Sequence, residues 1–222
     1  MKSFKWIYEH VQDHFPDEDI ESRLPQSKSS ALIAEVPDDR LLSDMVRRVF
    51  RAGLKHSLVD SKWPEFEKAF FQFSPEKVSL MSDEQLENLM QNDKIIRHWG
   101  KIKSVRANAL MVHELAEQHG SFAKFIAQWP DDDIIGLWAF LKKHGKQLGG
   151  NSGASFLRMV GKDTFLLTDD VVAGLKAQGI VDKRPSSKRD LQKVQDAFNV
   201  WQDESGRPMC QISRLLSYTV GW

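Results

Sequence analysis

Three features of this chain carry residue types that could act together on one substrate. In the stretch Leu141 to Leu175, Gly149-Gly150 interrupts a helical pattern, Lys142, Lys143 and Lys146 lead into that interruption, and Asp169-Asp170 opens a further apolar run. Backbone N–H groups at a Gly-rich turn, with the first turn of the helix behind it, form a cradle for phosphate oxygens. Such a cradle grips a strand without reading its sequence. A carboxylate one helix further along could then face a sugar whose base has been swung out, where it can stabilise an oxocarbenium ion or orient water. The plainer reading of the same residues is a Gly-Gly turn between two helices and an acidic helix cap.

A second concentration of charge runs from Lys94 to Arg106, where Lys94, Arg97, Lys101, Lys103 and Arg106 occur without a carboxylate. A basic face of this kind binds nucleic acid in a salt-sensitive way, and its plainer reading is a solvated helix surface. Other chemistries find little support. The chain has no Walker loop, no Gly-x-Ser-x-Gly elbow and no Cys-x-x-Cys, which removes nucleotide hydrolysis, the common serine esterase plan and a thiolate zinc site. His10 and His14 are spaced to share a metal, with only Glu9 and Asp13 beside them, and read better as a surface pair. Trp63, Trp99, Trp129 and Trp138 fall at core spacing, although an exposed Trp could stack on a base.

The elements that must position these residues are helical. Residues 4 to 15 suit an amphipathic helix, and a connection through Pro37 follows as loop or short helix. Asp38 is placed to cap a helix whose Leu41, Leu42, Met45, Val46, Val49 and Phe50 form a wide apolar face ending near Gly53. Ser82 with Gln85 makes a capping box. Long helices are expected after Gly100, around Phe122 to Trp129, from Ile134 to Leu141 into the hairpin, after Ser187 and after Pro208. No strand alternation of any length appears. The expected fold class is all-α, divided as 1–40 (N-terminal helix and connection), 41–180 (core) and 181–222 (C-terminal helices).

Composition bounds the answer. The 222 residues, 41% of them hydrophobic, suffice for one core, with room for a division into two lobes around a cleft. The single cysteine, Cys210, fits a reducing cytoplasm, and the charged N-terminus MKSFKWIYEHVQDHF lacks a signal-peptide core or a membrane span. Basic and acidic side chains balance at 31 each, so any nucleic-acid binding must come from a local face rather than from the whole surface.

A family resemblance is carried by Ala52-Gly53-Leu54, by Phe66 to Phe73 with Ser74-Pro75-Glu76-Lys77-Val78, and by Ile95-Ile96-Arg97-His98-Trp99-Gly100-Lys101-Ile102 with Asn108-Ala109. It continues through Leu141-Lys142-Lys143-His144-Gly145, Gly149 and Ser155-Phe156. In order and spacing these resemble the 3-methyladenine DNA glycosylase I family over roughly Leu41 to Val172. The resemblance implies a helix-hairpin-helix DNA glycosylase fold, with helices in two lobes around a cleft, and hydrolysis of the N-glycosidic bond of a damaged, foremost alkylated, base in double-stranded DNA. It implies an apolar plug at Gly53-Leu54, phosphate contacts from Lys101, Lys103, Gly149, Gly150 and Ser152, a soluble monomer associated with the nucleoid, and neither a membrane nor a nucleotide cofactor.

Departures from the family pattern sharpen the expectations. The pocket carboxylate of the family falls at Arg48 and its stacking Trp at His56, and an Arg repels a cationic base, which counts against 3-methyladenine itself. Two of the zinc ligands of the family fall at Asp170 and Gly174, so no metal is expected. In the wider superfamily an Asp opening the helix after the hairpin is the catalytic carboxylate, and Asp169 stands there; the Lys of bifunctional members is Ala154 here, and Lys162 is too far along, which favours a monofunctional hydrolase. Two registers of the hairpin, differing by one residue around Asn151-Ser152, stay open. The alternatives are a catalytically impaired DNA-binding protein that recognises distorted duplex, and a helical protein-interaction domain.

Overall fold

The computed structural model describes residues 1–220. Short connections join the helices α1 (Phe4–His14), α2 (Ser30–Ala34), α3 (Asp38–Arg51), α4 (His56–Ala69), α5 (Pro75–Ser79), α6 (Asp83–Asn88), α7 (Trp99–His119), α8 (Phe122–Gln128), α9 (Ile134–His144), α10 (Asn151–Val160), α11 (Asp169–Ala177), α12 (Lys188–Ser205) and α13 (Met209–Ser217). No strand occurs among the described residues, so the all-α expectation holds. No helix among them is long and apolar enough to cross a membrane. The residues gather in two compact units, one made of residues 1–28, 130–136 and 163 onward, the other of 29–129 and 137–162.

The second unit is built on α3. Its Leu41, Leu42, Met45, Val46, Val49 and Phe50 are all buried, at the spacing that puts them on one side of the helix. Against that side pack α4, α7 and α10. Burying each such side chain contributes about 1.5–3 kcal/mol, which outweighs the modest helix propensity of the β-branched residues among them. Polar groups tie the other edge: the Arg40 guanidinium donates to both oxygens of Glu67, at 3.1 and 3.0 Å, and the Ser43 hydroxyl and the Trp63 indole N–H donate to the same carboxylate at 2.7 and 3.2 Å.

Arg40 also donates to the carbonyl of Gln72 at 2.6 Å, and the backbone there is unusual. Phe71, Gln72 and Phe73 have φ of 52°, 56° and 58°, a left-handed turn made without glycine. It is closed by Phe73 N–H to the Phe70 carbonyl at 2.8 Å and pinned by the buried rings of Phe70 and Phe73, stacked 5.7 Å apart. Left-handed backbone costs roughly 1–2 kcal/mol per residue, which the buried aromatic contacts offset.

Several helix ends follow the sequence. Ser82 and Gln85 form the capping box, and Ser187 caps α12 by accepting from Asp190 N–H. Asp38 does something else. Pro37 is the N-cap of α3, and the Asp38 carboxylate instead accepts from Phe122 N–H and Ala123 N–H at 2.9 and 3.0 Å, capping α8 from a distance of more than eighty residues in the chain. A sequence pattern detects a local cap, whereas this one is made by packing.

In the first unit α13 packs against α11, α12 and α1. Phe165 stacks on Phe198 with ring centroids 4.3 Å apart, and Trp201 is fully buried while its indole N–H donates to the carbonyl of Lys2 at 3.0 Å. Pro208, at the N-cap of α13, has no side chain to offer the first N–H groups. The carboxylate of Asp163, only 8% exposed, takes that place by accepting from Met209 N–H at 2.7 Å and Cys210 N–H at 2.9 Å. Asp163→Ala leaves two buried donors without an acceptor and is expected to lower stability in urea denaturation by about 2 kcal/mol. A variant as stable as wild type would mean that α13 is held by its apolar face alone.

Candidate functional site

The last turns of α3 carry three arginines, and they are treated unequally. Arg51 forms a forked pair with Asp60 of α4, donating to both carboxylate oxygens at 2.7 Å. Arg47 lies over the ring of Trp63, 4.7 Å from its centroid, where a cation–π contact compensates its charge. Arg48 is half-buried and takes part in no hydrogen bond or ion pair among the described residues, and its Nε–H is buried without an acceptor. Burial first, and then the charge of Arg51, pull its guanidinium below the ordinary arginine range.

Lys101, read from the sequence as a phosphate contact, is turned inward. It is 9% exposed, and its ammonium donates to the carbonyls of Phe50 at 3.2 Å and Ala52 at 2.7 Å, the groups that α3 leaves open at its C-terminus. Burial lowers its pKa, and the neighbouring Arg48 lowers it further. A helix C-terminus favours a cation, which is why this site tolerates one. Beyond Ala52 the chain turns at Gly53, whose φ of 76° suits glycine, and then presents Leu54, 37% exposed, before His56 opens α4 on the surface. Arg48 thus lies in the last turn of α3, Gly53 and Leu54 in the loop that leaves it and His56 at the start of α4, while Lys101 of α7 meets the carbonyls at that end of α3.

The rest of the basic run divides by exposure. Lys94, Arg97 and Lys103 are exposed, and the Lys103 ammonium sits 5.0 Å from the centroid of the Trp99 ring. Arg106 is partly occupied, donating to the Met81 carbonyl at 2.8 Å and pairing with Asp83 at 2.7 Å. The hairpin is present as α9, a turn, and α10. The Asn108 side chain clamps the turn, accepting from Lys146 N–H at 2.7 Å and donating to its carbonyl at 3.1 Å. Gly150 is the N-cap of α10 with φ 56° and ψ −133°, a conformation essentially reserved for glycine, and it brings no side-chain cap. Asn151 is the first helical residue and Ser152 N–H donates to the Gly149 carbonyl at 3.1 Å, which closes the turn between α9 and α10. Gly149 and Gly150 are exposed, as are Lys142, Lys143 and Lys146 around them.

Asp169 lies in the first unit, so the sequence-derived residues fall on both units, with the carboxylate on one and the remaining candidates on the other. It is not the cap of α11: Thr168 is, its hydroxyl accepting from Val171 N–H at 3.2 Å. The Asp169 side chain is 96% exposed; its Oδ1 accepts from Arg184, which also donates to the Leu167 carbonyl at 2.7 Å, and its Oδ2 has no partner among the described residues. Asp170 is exposed beside it. Arg184 and Asp60 escaped the sequence reading, because a partner fifteen residues away in an irregular segment, or on the next helix, leaves no periodic signal. Lys101 was misjudged for a related reason: its charge was legible and its burial was not.

Among the described residues no group of three or more His, Cys, Asp or Glu side chains is gathered as metal ligands. His10 stacks on Trp6 at 4.6 Å on the face of α1.

Comparison with known proteins places these features in context. Residues 33–146 match the family model described as methyladenine glycosylase. DNA-3-methyladenine glycosylase 1 of Escherichia coli (strain K12) is 36% identical over 76 residues, 34% of this chain and 41% of that protein. DNA-3-methyladenine glycosylase of Haemophilus influenzae is 32% identical over 76 residues, covering 34% and 41%. The chain therefore spans about two-fifths of the length of these curated relatives. Its fold is that of the 8-oxoguanine DNA glycosylase of Methanocaldococcus jannaschii, with a TM-score of 0.54 at 15% identity over 97% of this chain and 92% of that one.

The geometry at the end of α3 generates a test. Lys101→Met keeps the aliphatic stem and removes the donor from two helix-terminal carbonyls, and a loss of about 1–3 kcal/mol in urea denaturation is expected. Unchanged stability would show that water satisfies those carbonyls equally well.

Proposed function

Because the chain belongs to the methyladenine glycosylase family, we propose that it is a monofunctional DNA glycosylase that takes a damaged base out of duplex DNA and hydrolyses its N-glycosidic bond. The match of residues 33–146 carries this reading. Alkylated bases are the class that the relatives' names bring forward. In the reaction the C1′–N bond breaks with its electron pair going to the base. Water supplies hydroxyl to C1′, and its remaining proton is taken up by the base or by solvent.

Residue roles follow from placement and charge. The exposed Lys94, Arg97, Lys103, Lys142, Lys143 and Lys146 meet backbone phosphates, together with the N-terminus of α10 at Gly149, Gly150 and Ser152. Leu54, apolar and exposed beyond Gly53, fills the gap left in the duplex, and the extruded base lies beside Arg48 and His56. Asp169 faces the sugar, where its charge stabilises the oxocarbenium ion. Arg184 holds Oδ1 and leaves Oδ2 for the sugar or for water. A carboxylate this exposed acts only once DNA covers it, since in bulk water its field is screened. Ala154 in the second hairpin helix offers no amine for a Schiff base, so the reaction ends at hydrolysis. The enzyme works as a cytoplasmic monomer on the nucleoid and needs no cofactor.

A DNA-binding protein without catalysis has one observation in its favour, the pairing of Asp169 with Arg184. Single-turnover base release separates the two. Asp169→Asn is expected to cut release by on the order of a hundredfold while leaving duplex affinity and stability nearly unchanged, and Asp170→Asn is expected to be mild. Because Thr168 supplies the cap, a helix-capping role for Asp169 cannot mimic that outcome. Wild-type release by Asp169→Asn would remove the carboxylate from the mechanism.

The nucleic-acid face has its own check. Lys103→Glu should weaken duplex binding and reduce the slope of log affinity against log salt by about 0.9, the value for one phosphate contact. An unaltered slope would take this cluster off the DNA.

A further inference from the structure

Among the described residues, Arg48 is the one arginine in the last turns of α3 that has neither a carboxylate nor an aromatic ring as a partner. Its neighbours on the same helix show what compensation looks like: a forked carboxylate for Arg51 and an indole ring for Arg47. The ammonium of Lys101 has two carbonyls. Arg48 has none of these; its Nε–H, like that of Arg47, is buried without an acceptor, and the charges that act on it are those of Arg51 and Lys101, both positive. The C-terminus of α3 helps to hold a positive charge nearby. It does not give that Nε–H a hydrogen bond, and a buried donor left unmade carries its full desolvation cost. The remainder of this half-buried side chain is open to an acceptor oxygen or nitrogen, anionic or partly so, brought by a ligand.

Resting on the glycosylase reading above, in which the extruded base lies at this end of α3, we propose that Arg48 selects an uncharged damaged base bearing carbonyl or ring-nitrogen acceptors, and that it excludes cationic N-alkylated bases. Such a base is a poor leaving group because it departs as an anion when the electron pair of the C1′–N bond passes to it. A guanidinium donating to its acceptor oxygen stabilises that anion as it forms, and water then supplies hydroxyl to C1′ and a proton to the base. A base that is already cationic leaves as a neutral molecule and needs no such help. It would also have to enter among three like charges, Arg48, Arg51 and Lys101, of which only Arg51 is neutralised by a carboxylate. Selectivity here is built by repulsion as much as by attraction.

A backbone phosphate is the other source of an acceptor oxygen, and the experiment separates the two. Duplexes identical except for one nucleotide carry hypoxanthine or uracil as uncharged bases, 7-methylguanine as the cationic one, or no lesion. Wild type, Arg48→Glu and Arg48→Met are compared in equilibrium binding and in single-turnover base release. Wild type is expected to prefer the uncharged bases by on the order of tenfold or more. Arg48→Met should abolish the preference, Arg48→Glu should reverse it toward 7-methylguanine, and affinity for undamaged duplex should stay within about twofold. Arg48→Met removes an uncompensated cation, so its melting temperature should not fall, and it keeps the test valid if Arg48→Glu does not fold. Preference for 7-methylguanine in wild type overturns the proposal and leaves the glycosylase reading standing. So does a uniform loss of affinity, undamaged duplex included, with a shallower salt slope, which assigns Arg48 to a phosphate. If no duplex is cut, the binding arm still decides: a preference for uncharged bases that Arg48→Met abolishes keeps the pocket assignment and sinks catalysis.

Discussion

Two carbonyl oxygens at the C-terminus of α3, those of Phe50 and Ala52, are met by a single buried ammonium from the first turn of α7. Much of what the second unit presents depends on that contact. It ends α3 at a fixed place, so the chain turns at Gly53 and Leu54 emerges into solvent instead of continuing an apolar face. It also sets a positive charge beside Arg48, and each cation disfavours the other. A neutral donor could have satisfied the carbonyls. Using lysine makes one hydrogen-bonding device serve as an electrostatic one.

The fold was legible because it is local. The apolar spacing of α3, the capping box at Ser82 and Gln85 and the cap at Ser187 are short-range signals, and each matched an observed helix end. The hairpin was legible to within a residue: two registers around Asn151-Ser152 stayed open, and the backbone angles of Gly150, which place Asn151 as the first residue of α10, are not written in any side-chain pattern. What the sequence hid was compensation at a distance. Asp38 caps α8, Asp163 caps α13, Arg184 holds Asp169 and Lys101 closes α3, all through partners that no periodicity links. Charge could be counted in the sequence, whereas the distinction between a solvated cation and a buried one required packing. Lys101 and Lys103 show the difference, since they are two residues apart and face opposite environments.

Two carboxylates of the second unit are committed to groups of α3 and α4. Glu67 gathers Arg40, Ser43 and Trp63, and Asp60 is taken by Arg51. The run from Lys94 to Arg106 holds no carboxylate, so a chain with no net charge can still carry a local concentration of positive charge.

The left-handed turn at Phe71 to Phe73 bears on how this protein would respond to selection for heat resistance. Gln72 is exposed, and the group that Arg40 grips there is its backbone carbonyl, so the side chain is dispensable. Glycine in ordinary helix costs roughly 0.5–1 kcal/mol relative to alanine, but at a φ of 56° it relieves a penalty of roughly 1–2 kcal/mol. The residue most often avoided in stabilising a helical protein is thus the one this loop would accumulate first, and asparagine, which tolerates the same backbone, would follow it.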